Sequence, residues 1–312
     1  MTIHEANANG PSITKAARGR EIVGIDMFKS TSDNISATRV VELMSQMNAD
    51  VPKGGEELSY GDREAHRIRY WRTDNAKAPL VIFIHGGSWR SGTYLDSVGA
   101  LKVRHLIDKG YAFASVNYTL VPIVTVEEQV KEVADAVGYM LRNGMQLGSD
   151  PERVVLMGHS SGAHVATLLG TDATYLARVN LELNIIHGVV ALDGSNYNAA
   201  AEIIDSPGPV ADSTISGLGS DLQRLNAMSP LYHAHAPNAR AFLLLQVQRQ
   251  GDIRQAVELS AALNAAGTEA ALHVFEGESF EGHMAMLLRI GDPHYPATQV
   301  LDDWLACHVP SQ

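Results

Sequence analysis

The sequence predicts an α/β protein built on a mostly parallel, doubly wound sheet, with an antiparallel N-terminal edge and a small lid. The strand-like runs are almost continuously apolar, as from Leu80 to Ile84, which a sheet covered by helices on both faces requires. After Pro79 these runs alternate with helical patterns, and such alternation implies right-handed crossovers between parallel strands. The 312 residues, 45% of them hydrophobic and 19% charged, are enough for one large globular domain.

The chain before the sheet is weakly patterned. We expect residues 1–56 to form an N-terminal arm that is partly flexible, carries a helix near 37–47 and can cover the site. The domain itself is expected over 57–312. Two short strands, near 57–60 and 66–71, should pair as the antiparallel edge of its sheet.

The other elements follow the alternating pattern in chain order. They are a strand at 80–87, a helix at 94–109, a strand at 111–118, a helix at 126–142, a strand at 153–160, a helix at 161–170, strands at 185–192 and 241–248, a helix at 256–266 and a strand at 271–277. Between about 194 and 238 the chain is rich in Ser, Gly, Pro and Asn, with one short helix near 221–228. We expect this insertion to form the small lid over the strand ends.

Charge and cysteine content restrict the partners and the compartment. The formal net charge of -11 argues against nucleic acid, because clustered cations are needed to bind phosphates. The one cysteine, Cys307, is expected to be a buried core residue, and the lack of a second favours a reducing compartment. We see no signal-peptide pattern and no apolar run long enough to span a membrane, so we expect a cytoplasmic protein without a membrane partner. The sequence leaves open whether the chain forms a homodimer.

The strongest chemical signal is Gly158-His159-Ser160-Ser161-Gly162, between the strand VVLM and the helix AHVATLLG. A serine in such a strand–turn–helix is held on a tight backbone, and small residues two positions away on either side avoid collisions. Of the two serines, only Ser160 has glycines at both flanking positions. We therefore predict that Ser160 is a nucleophile and that the backbone N–H of Ser161 faces the oxyanion formed during its attack.

A second glycine-containing segment, His85-Gly86-Gly87-Ser88-Trp89, follows an apolar strand. Glycines at a strand end let backbone N–H groups approach a developing negative charge. We expect Gly87 and Ser88 to supply further oxyanion donors and Gly86 to shape the loop. Gly86, Trp89 and His159 are also candidates for the lining of a substrate pocket.

A serine nucleophile needs a base, and the base needs a carboxylate to orient it. His283 is predicted as the base because it follows the last strand through a glycine-containing loop, whereas His294 and His273 are less well located. Asp252, after the strand AFLLLQVQ, is predicted as the acid, in the chain order serine, acid, histidine. Asp193, after the preceding strand, and Glu258 are the alternatives.

Other polar patterns carry weaker signals. His233 and His235 form an HxH pair, but no further ligand lies at a typical zinc spacing. His164, one turn beyond Ser160, is expected to pack under the site rather than react. No glycine-rich phosphate loop is present in the sequence, so we expect no use of a nucleotide. Hydrolysis by a serine, a histidine and a carboxylate needs no metal or organic cofactor, and we predict none.

With these motifs in place, residues 57–309 resemble the α/β-hydrolase superfamily. HGGSW, GHSSGAH and the late GHMAM are most similar to its carboxylesterase and arylformamidase (kynurenine formamidase-like) group, which carries an HGG-x-W oxyanion segment. The resemblance to the hormone-sensitive-lipase-like esterases is looser, because Ser88 stands where these have a third glycine. The resemblance implies the α/β-hydrolase fold, a triad of Ser160, Asp252 and His283, and oxyanion donors at Gly87, Ser88 and Ser161.

Three functions fit these residues. The first is a carboxylesterase that cleaves a small or aromatic ester through an acyl-enzyme. The second is an arylformamidase-type amidase that removes an N-formyl group with the same triad. The third is a non-catalytic ligand-binding protein on the same fold, against which the presence of both nucleophile and base argues. The expected partner is a small-molecule ester or amide.

Overall fold

The computed structural model describes residues 51–311, and it has an eight-stranded sheet at its centre. The predicted arm lies almost entirely outside the described residues. The strands are β1 (Glu56–Ser59), β2 (Arg67–Trp71), β3 (Ala78–Ile84), β4 (Ala112–Val116), β5 (Ser149–His159), β6 (Ile186–Leu192), β7 (Ala241–Val247) and β8 (Glu269–Phe275). Their order in the sheet is β1-β2-β4-β3-β5-β6-β7-β8. The β1–β2 and β2–β4 pairs are antiparallel and the others parallel, so the predicted sheet and its antiparallel edge are confirmed.

Helices connect the strands and cover both faces of the sheet. They are α1 (Ala100–Asp108), α2 (Val126–Leu147), α3 (Ser161–Thr171), α4 (Ala173–Ala177), α5 (Ala199–Asp205), α6 (Pro209–Leu218), α7 (Leu222–Ala227), α8 (Pro230–His233), α9 (Gln250–Ala265), α10 (Ser279–Arg289) and α11 (Pro296–His308). None of these helices is long and apolar enough to cross a membrane within the described part of the chain.

The core lies in two layers, one on each face of the sheet. Alternate residues of a strand point to opposite faces, so Ile82 on β3 packs in one layer and Phe83 in the other. The first layer is completed by apolar residues of α2, α3 and α9, and the second by those of α1, α10 and α11. Both faces of β3, β4, β6 and β7 are therefore buried, which explains their nearly continuous apolar sequences.

Three predicted helix boundaries are wrong. The helix predicted to end at Arg142 continues to Leu147, because Gly148 rather than Gly144 takes the left-handed conformation (φ 79°) that ends it. The helix predicted from Tyr94 begins at Ala100, after a turn in which the Asp96 carboxylate accepts a hydrogen bond from the N–H of Thr93. The helix predicted from 256 begins at Gln250, which places Asp252 inside its first turn.

Cys307 is exposed rather than buried. It lies near the end of α11, where Trp304 and Leu305 are buried against the sheet. The face of the helix that carries Cys307 points away from that contact, so the prediction of a core cysteine is wrong.

The segment between β6 and β7 forms a cap of four short helices, α5 to α8. The predicted helix near 221–228 is confirmed as α7, with Asp221 as its N-cap. Arg224 on α7 makes a two-pronged ion pair with Glu127 on α2, with N–O distances of 2.6 and 2.9 Å. The hydrogen bonds from Arg224 lower the pKa of Glu127 to about 2, so this pair joins the cap to the body at neutral pH.

Replacing Gly148 by Ala should lower the free energy of unfolding by about 1–2 kcal/mol, because a left-handed conformation is strained for any residue with a Cβ. The added methyl meets no atom within 4 Å, so strain is the only cost. Urea denaturation measures the change. Met145→Ala, at a 65% exposed position of the same helix, is the control and should change stability by less than about 0.5 kcal/mol. Equal effects of the two variants would contradict this account of how the helix ends.

Candidate active site

Ser160 lies on a strained turn between β5 and α3. Its backbone has φ 57° and ψ −126°, a conformation that residues with side chains rarely adopt. A Cβ on Gly158 would collide with the carbonyl of Gly162, and one on Gly162 would collide with the carbonyl of Ile84. The N–H of Ser160 donates to the carbonyl of Leu192 at the end of β6 (3.1 Å). The turn predicted from the sequence is therefore present, with Ser160 at its apex and half-buried.

The segment after β3 packs directly against this turn. A Cβ on Gly86 would lie 2.7 Å from the carbonyl oxygen of His159 and 3.0 Å from Cβ of Ser160, so only glycine permits the approach. Gly87 and Ser88 both have positive φ, 122° and 54°. Such consecutive conformations turn backbone amides toward one side of a loop. The loop predicted to hold oxyanion donors therefore lies beside Ser160.

The N–H groups of Gly87, Ser88 and Ser161 are among the backbone amides near Ser160 that form no hydrogen bond within residues 51–311. The side chain of Ser161 is used differently, since its Oγ accepts a hydrogen bond from the N–H of Trp89 (3.3 Å). Because buried amides are rarely left without an acceptor, free N–H groups at this turn suit the binding of a negatively charged oxygen.

His283 is paired with Asp193. Its Nδ1 lies 2.5 Å from Oδ2 of Asp193, and both side chains are buried. Asp193 directly follows β6 and has φ 45°, a left-handed conformation that Asp tolerates better than most residues. Its other oxygen, Oδ1, accepts from the N–H of Val247 (3.0 Å). The carboxylate therefore fixes the ring of His283 with Nδ1 as the proton donor, so that Nε2 is the unprotonated nitrogen of the neutral ring.

The prediction that Asp252 pairs with His283 is wrong. Asp252 lies in the first turn of α9, where its Oδ2 is 3.2 Å from Nη2 of Arg249. The early start of α9 explains this, because the helix carries the side chain away from the strand end. Asp193, the alternative acid, occupies the position instead, and Glu258 pairs with Arg254 (3.5 Å).

The three candidates for the pocket lining are buried rather than open to the surface. Trp89 is 2% exposed, and its ring lies edge-on to that of His164 at 5.3 Å. His159 lies against the ring of His283 at 4.4 Å, and its Nε2 donates to the backbone carbonyl of His283 (3.0 Å). The contacts of Trp89 and His159 therefore hold the loop and the base, and Gly86 gives the loop its close approach to the turn.

Two of the other histidines that the sequence singled out have structural partners. Nε2 of His164 lies 2.7 Å from the carbonyl of Met228, as expected for packing under the site. Nε2 of His233 lies 2.8 Å from the carbonyl of Ala227. No group of three His, Cys, Asp or Glu side chains that could hold a metal ion occurs in the described residues.

Burial and charge act in opposite directions on the paired groups. Burial alone would raise the pKa of Asp193, but Arg249 and then His283 outweigh it, so this pKa lies well below its ordinary value. Burial is the main cause that lowers the pKa of His283, Arg249 lowers it further, and the bond to Asp193 opposes both. His283 is therefore a neutral imidazole beside an ionised carboxylate at neutral pH.

If Asp193 holds the Nδ1 proton of His283 in a short hydrogen bond, that proton should give a far-downfield NMR resonance, because short charge-assisted bonds deshield their proton. Asp193→Asn should abolish the resonance, since the amide cannot accept with a full charge. Asp252→Asn is the matched control and should retain it. A signal that survives in Asp193→Asn and disappears in Asp252→Asn would restore the prediction made from the sequence.

Comparison with solved structures confirms the α/β-hydrolase fold. Esterase B from Lactobacillus rhamnosis superimposes with a TM-score of 0.69 at 19% identity, covering 93% of this chain and 95% of that one. Among curated proteins, a probable isoprenylcysteine alpha-carbonyl methylesterase of Oryza sativa is 32% identical over 109 residues, and a kynurenine formamidase of Meyerozyma guilliermondii is 32% identical over 138 residues. The matches cover 34% and 44% of this chain, and 26% and 51% of the relatives.

The family model named BD-FAE matches residues 68–238. This range is more than half of the chain, and it holds the loop after β3, the turn at Ser160 and the carboxylate of Asp193. Arg249 and His283 follow the matched range. The chain belongs to the BD-FAE family.

Proposed function

We propose that the chain is a serine hydrolase that cleaves a small or aromatic carboxylic ester, with Ser160 as nucleophile, His283 as base and Asp193 as the carboxylate that orients the base. The observation that carries the proposal is the strained Ser160 turn, bonded to the end of β6, beside the 2.5 Å contact of His283 with Asp193. The cytoplasmic location expected from the sequence belongs to the same proposal.

In the first half of the reaction, Nε2 of His283 removes the proton of Ser160 Oγ as this oxygen forms a bond to the ester carbonyl carbon. The carbonyl oxygen becomes negative and is stabilised by the N–H groups of Gly87, Ser88 and Ser161, which have no acceptor in the described chain. The carbon–oxygen bond to the alcohol then breaks. The leaving alkoxide takes the proton from His283, and an acyl-Ser160 remains.

In the second half, water replaces the alcohol. His283 takes a proton from water while the water oxygen attacks the acyl carbon, and the same amides bind the oxyanion again. When the bond to Ser160 Oγ breaks, this oxygen recovers the proton from His283 and the carboxylic acid is released. Asp193 stays ionised throughout, because its pKa lies well below the ordinary value, and it balances the charge of the imidazolium.

A formamidase activity is the second candidate. It is favoured by the similarity to the kynurenine formamidase over 44% of this chain. The same residues would attack an N-formyl carbonyl, and the proton from His283 would go to the leaving amine. We rank ester cleavage first because several of the relatives are named esterases, among them the rice methylesterase and the mycobacterial esterase LipQ.

Ser160→Ala should abolish turnover, with a loss of about 10⁶-fold in kcat as for other nucleophiles of this kind, because no other side chain can form the acyl intermediate. Initial rates on p-nitrophenyl acetate, butyrate and octanoate, on a feruloyl ester and on N-formylkynurenine would measure it. The wild type should cleave the esters faster than the formamide, and a preference for N-formylkynurenine would select the second candidate.

Ser161→Ala is the matched control for this experiment. It removes the neighbouring hydroxyl but keeps the backbone N–H, so it should retain activity within about 100-fold. Substantial activity in a folded Ser160→Ala protein would contradict the mechanism. A wild type without activity on any of these substrates would favour the non-catalytic alternative.

A further inference from the structure

Arg249 connects the two acids that the sequence offered for the site. It follows β7 by two residues, and its Nε lies 3.0 Å from Oδ2 of Asp193. Its Nη2 lies 3.2 Å from Oδ2 of Asp252 on α9. The side chain of Arg249 is 18% exposed, Asp252 4% and Asp193 0%. Carboxylate, guanidinium and carboxylate therefore form a row beneath the site, with His283 next to its first member.

One oxygen of this row serves two partners. Oδ2 of Asp193 lies 2.5 Å from Nδ1 of His283 and 3.0 Å from Nε of Arg249. A carboxylate alone beside an imidazole favours the imidazolium, whereas a cation at the same distance opposes it. Because the guanidinium of Arg249 lies at ion-pair distance from the oxygen that holds the ring, its positive charge opposes the effect of Asp193 on His283.

Titratable groups from three elements lie around His283, and a fourth element packs against the helix that carries it. Asp193 comes from the end of β6, Arg249 from the end of β7, and His159 from the end of β5. On α1, Lys102 donates to the carbonyl of Leu287 in the helix that carries His283 (3.1 Å). Burial, and next the charge of His283, lower the pKa of His159, so this ring is neutral. Among residues 51–311, Asp193 is the carboxylate paired with His283, and Arg249 is the cation beside Asp193.

We propose that Arg249 is a positioning residue of the site, which fixes the Asp193 carboxylate and cancels part of the negative charge that Asp193 presents to His283. This inference rests on the proposed hydrolase function. Its consequence is that His283 stays a neutral base at lower pH than a histidine held by an unpaired buried aspartate would. This expectation agrees with the lowered pKa of His283. Burial lowers that pKa most, and the charge of Arg249 lowers it further.

Asp252 is the support for Arg249 in this arrangement. Burial raises its pKa to about 8, against the effect of Arg249, and its Oδ1 has no hydrogen-bond partner in the described residues. At neutral pH Asp252 therefore adds less negative charge to the row than Asp193 does. The net charge that His283 experiences is set by Asp193 and Arg249.

The test compares wild type, Arg249→Gln and Arg249→Lys as full-length chains. The pKa of His283 is read from histidine NMR titration, with His283→Gln to identify its resonance, and the acid limb of kcat/KM is read from p-nitrophenyl acetate hydrolysis. Removing the cation makes the imidazolium more favourable, so Arg249→Gln should raise both values by about one pH unit or more. Arg249→Lys keeps the charge and should restore values close to those of the wild type.

Asp252→Asn distinguishes the effect of the Arg249 charge on the pKa of His283 from the effect of disturbing the contacts in the row. It removes the support but leaves the guanidinium, so the pKa of His283 must not rise. A rise equal to that in Arg249→Gln, or no change in a folded Arg249→Gln protein, would overturn the proposal. If Arg249→Gln does not fold, the pKa of His283 in the wild type tests the proposal by itself. A value at or above the ordinary pKa of about 6.5 would also overturn it. A shifted NMR titration in a chain that hydrolyses nothing would reject the hydrolase function and leave the charge effect standing.

Discussion

The close approach of three backbone segments around Ser160 is the constraint on which the rest of the site depends. Gly158 and Gly162 let β5 and α3 meet. A Cβ on Gly86 would lie only 3.0 Å from Cβ of Ser160, so a glycine is needed there for the loop after β3 to pack against the turn. The strained conformation of Ser160 persists because its N–H is bonded to Leu192. Any side chain at these glycines would separate the serine from the amides that face it.

The order of the strands brings the remaining groups to the same turn. β6 is the neighbour of β5, and β7 is the neighbour of β6, so their carboxyl ends are adjacent along one edge of the sheet. Parallel strands in such folds present their carboxyl ends to the ligand side. Ser160, Asp193 and Arg249 stand at the ends of these three strands, and α10 returns His283 to them. The chemistry therefore needs no long loop, since short extensions of neighbouring strands reach one another.

The charges at this edge are balanced within a small buried volume. An aspartate as deeply buried as Asp193 would be costly to ionise without partners. Three groups offset this cost, namely Arg249, His283 and the N–H of Val247. The same balance leaves His283 neutral and Asp193 ionised, which are the states that the proposed mechanism requires. The stability of the site and the protonation state of His283 thus depend on the same contacts.

Local patterns in the sequence are sufficient to predict the fold and the turn at Ser160. Continuous apolar strands and the glycines around Ser160 act over a few residues, so these predictions are confirmed by the structure. The acid could not be assigned in the same way, because Asp193 and Asp252 both follow a strand and both satisfy the chain order serine, acid, histidine. The choice depends on where α9 begins, and no local signal separates a start at Gln250 from one six residues later.

Two features of the sequence favour Asp193 as the partner of His283. It directly follows the apolar strand next to that of Ser160, and it precedes Gly194, a pair of residues suited to the left-handed turn that it makes. The burial of Trp89 could not be read from the sequence, because it depends on contacts with α3 and with Gly217 in the cap. Contacts between distant segments decide such positions.

Covalent labelling tests most directly the proposal that Ser160, held on this turn, is a nucleophile activated by His283. The full-length chain would be treated with a fluorophosphonate and the modified peptide mapped by mass spectrometry. We predict one adduct, on Ser160, formed much more slowly when His283 is replaced by Gln, because the hydroxyl then lacks its base. An adduct on Ser161, or no adduct in a protein that still hydrolyses esters, would contradict the account.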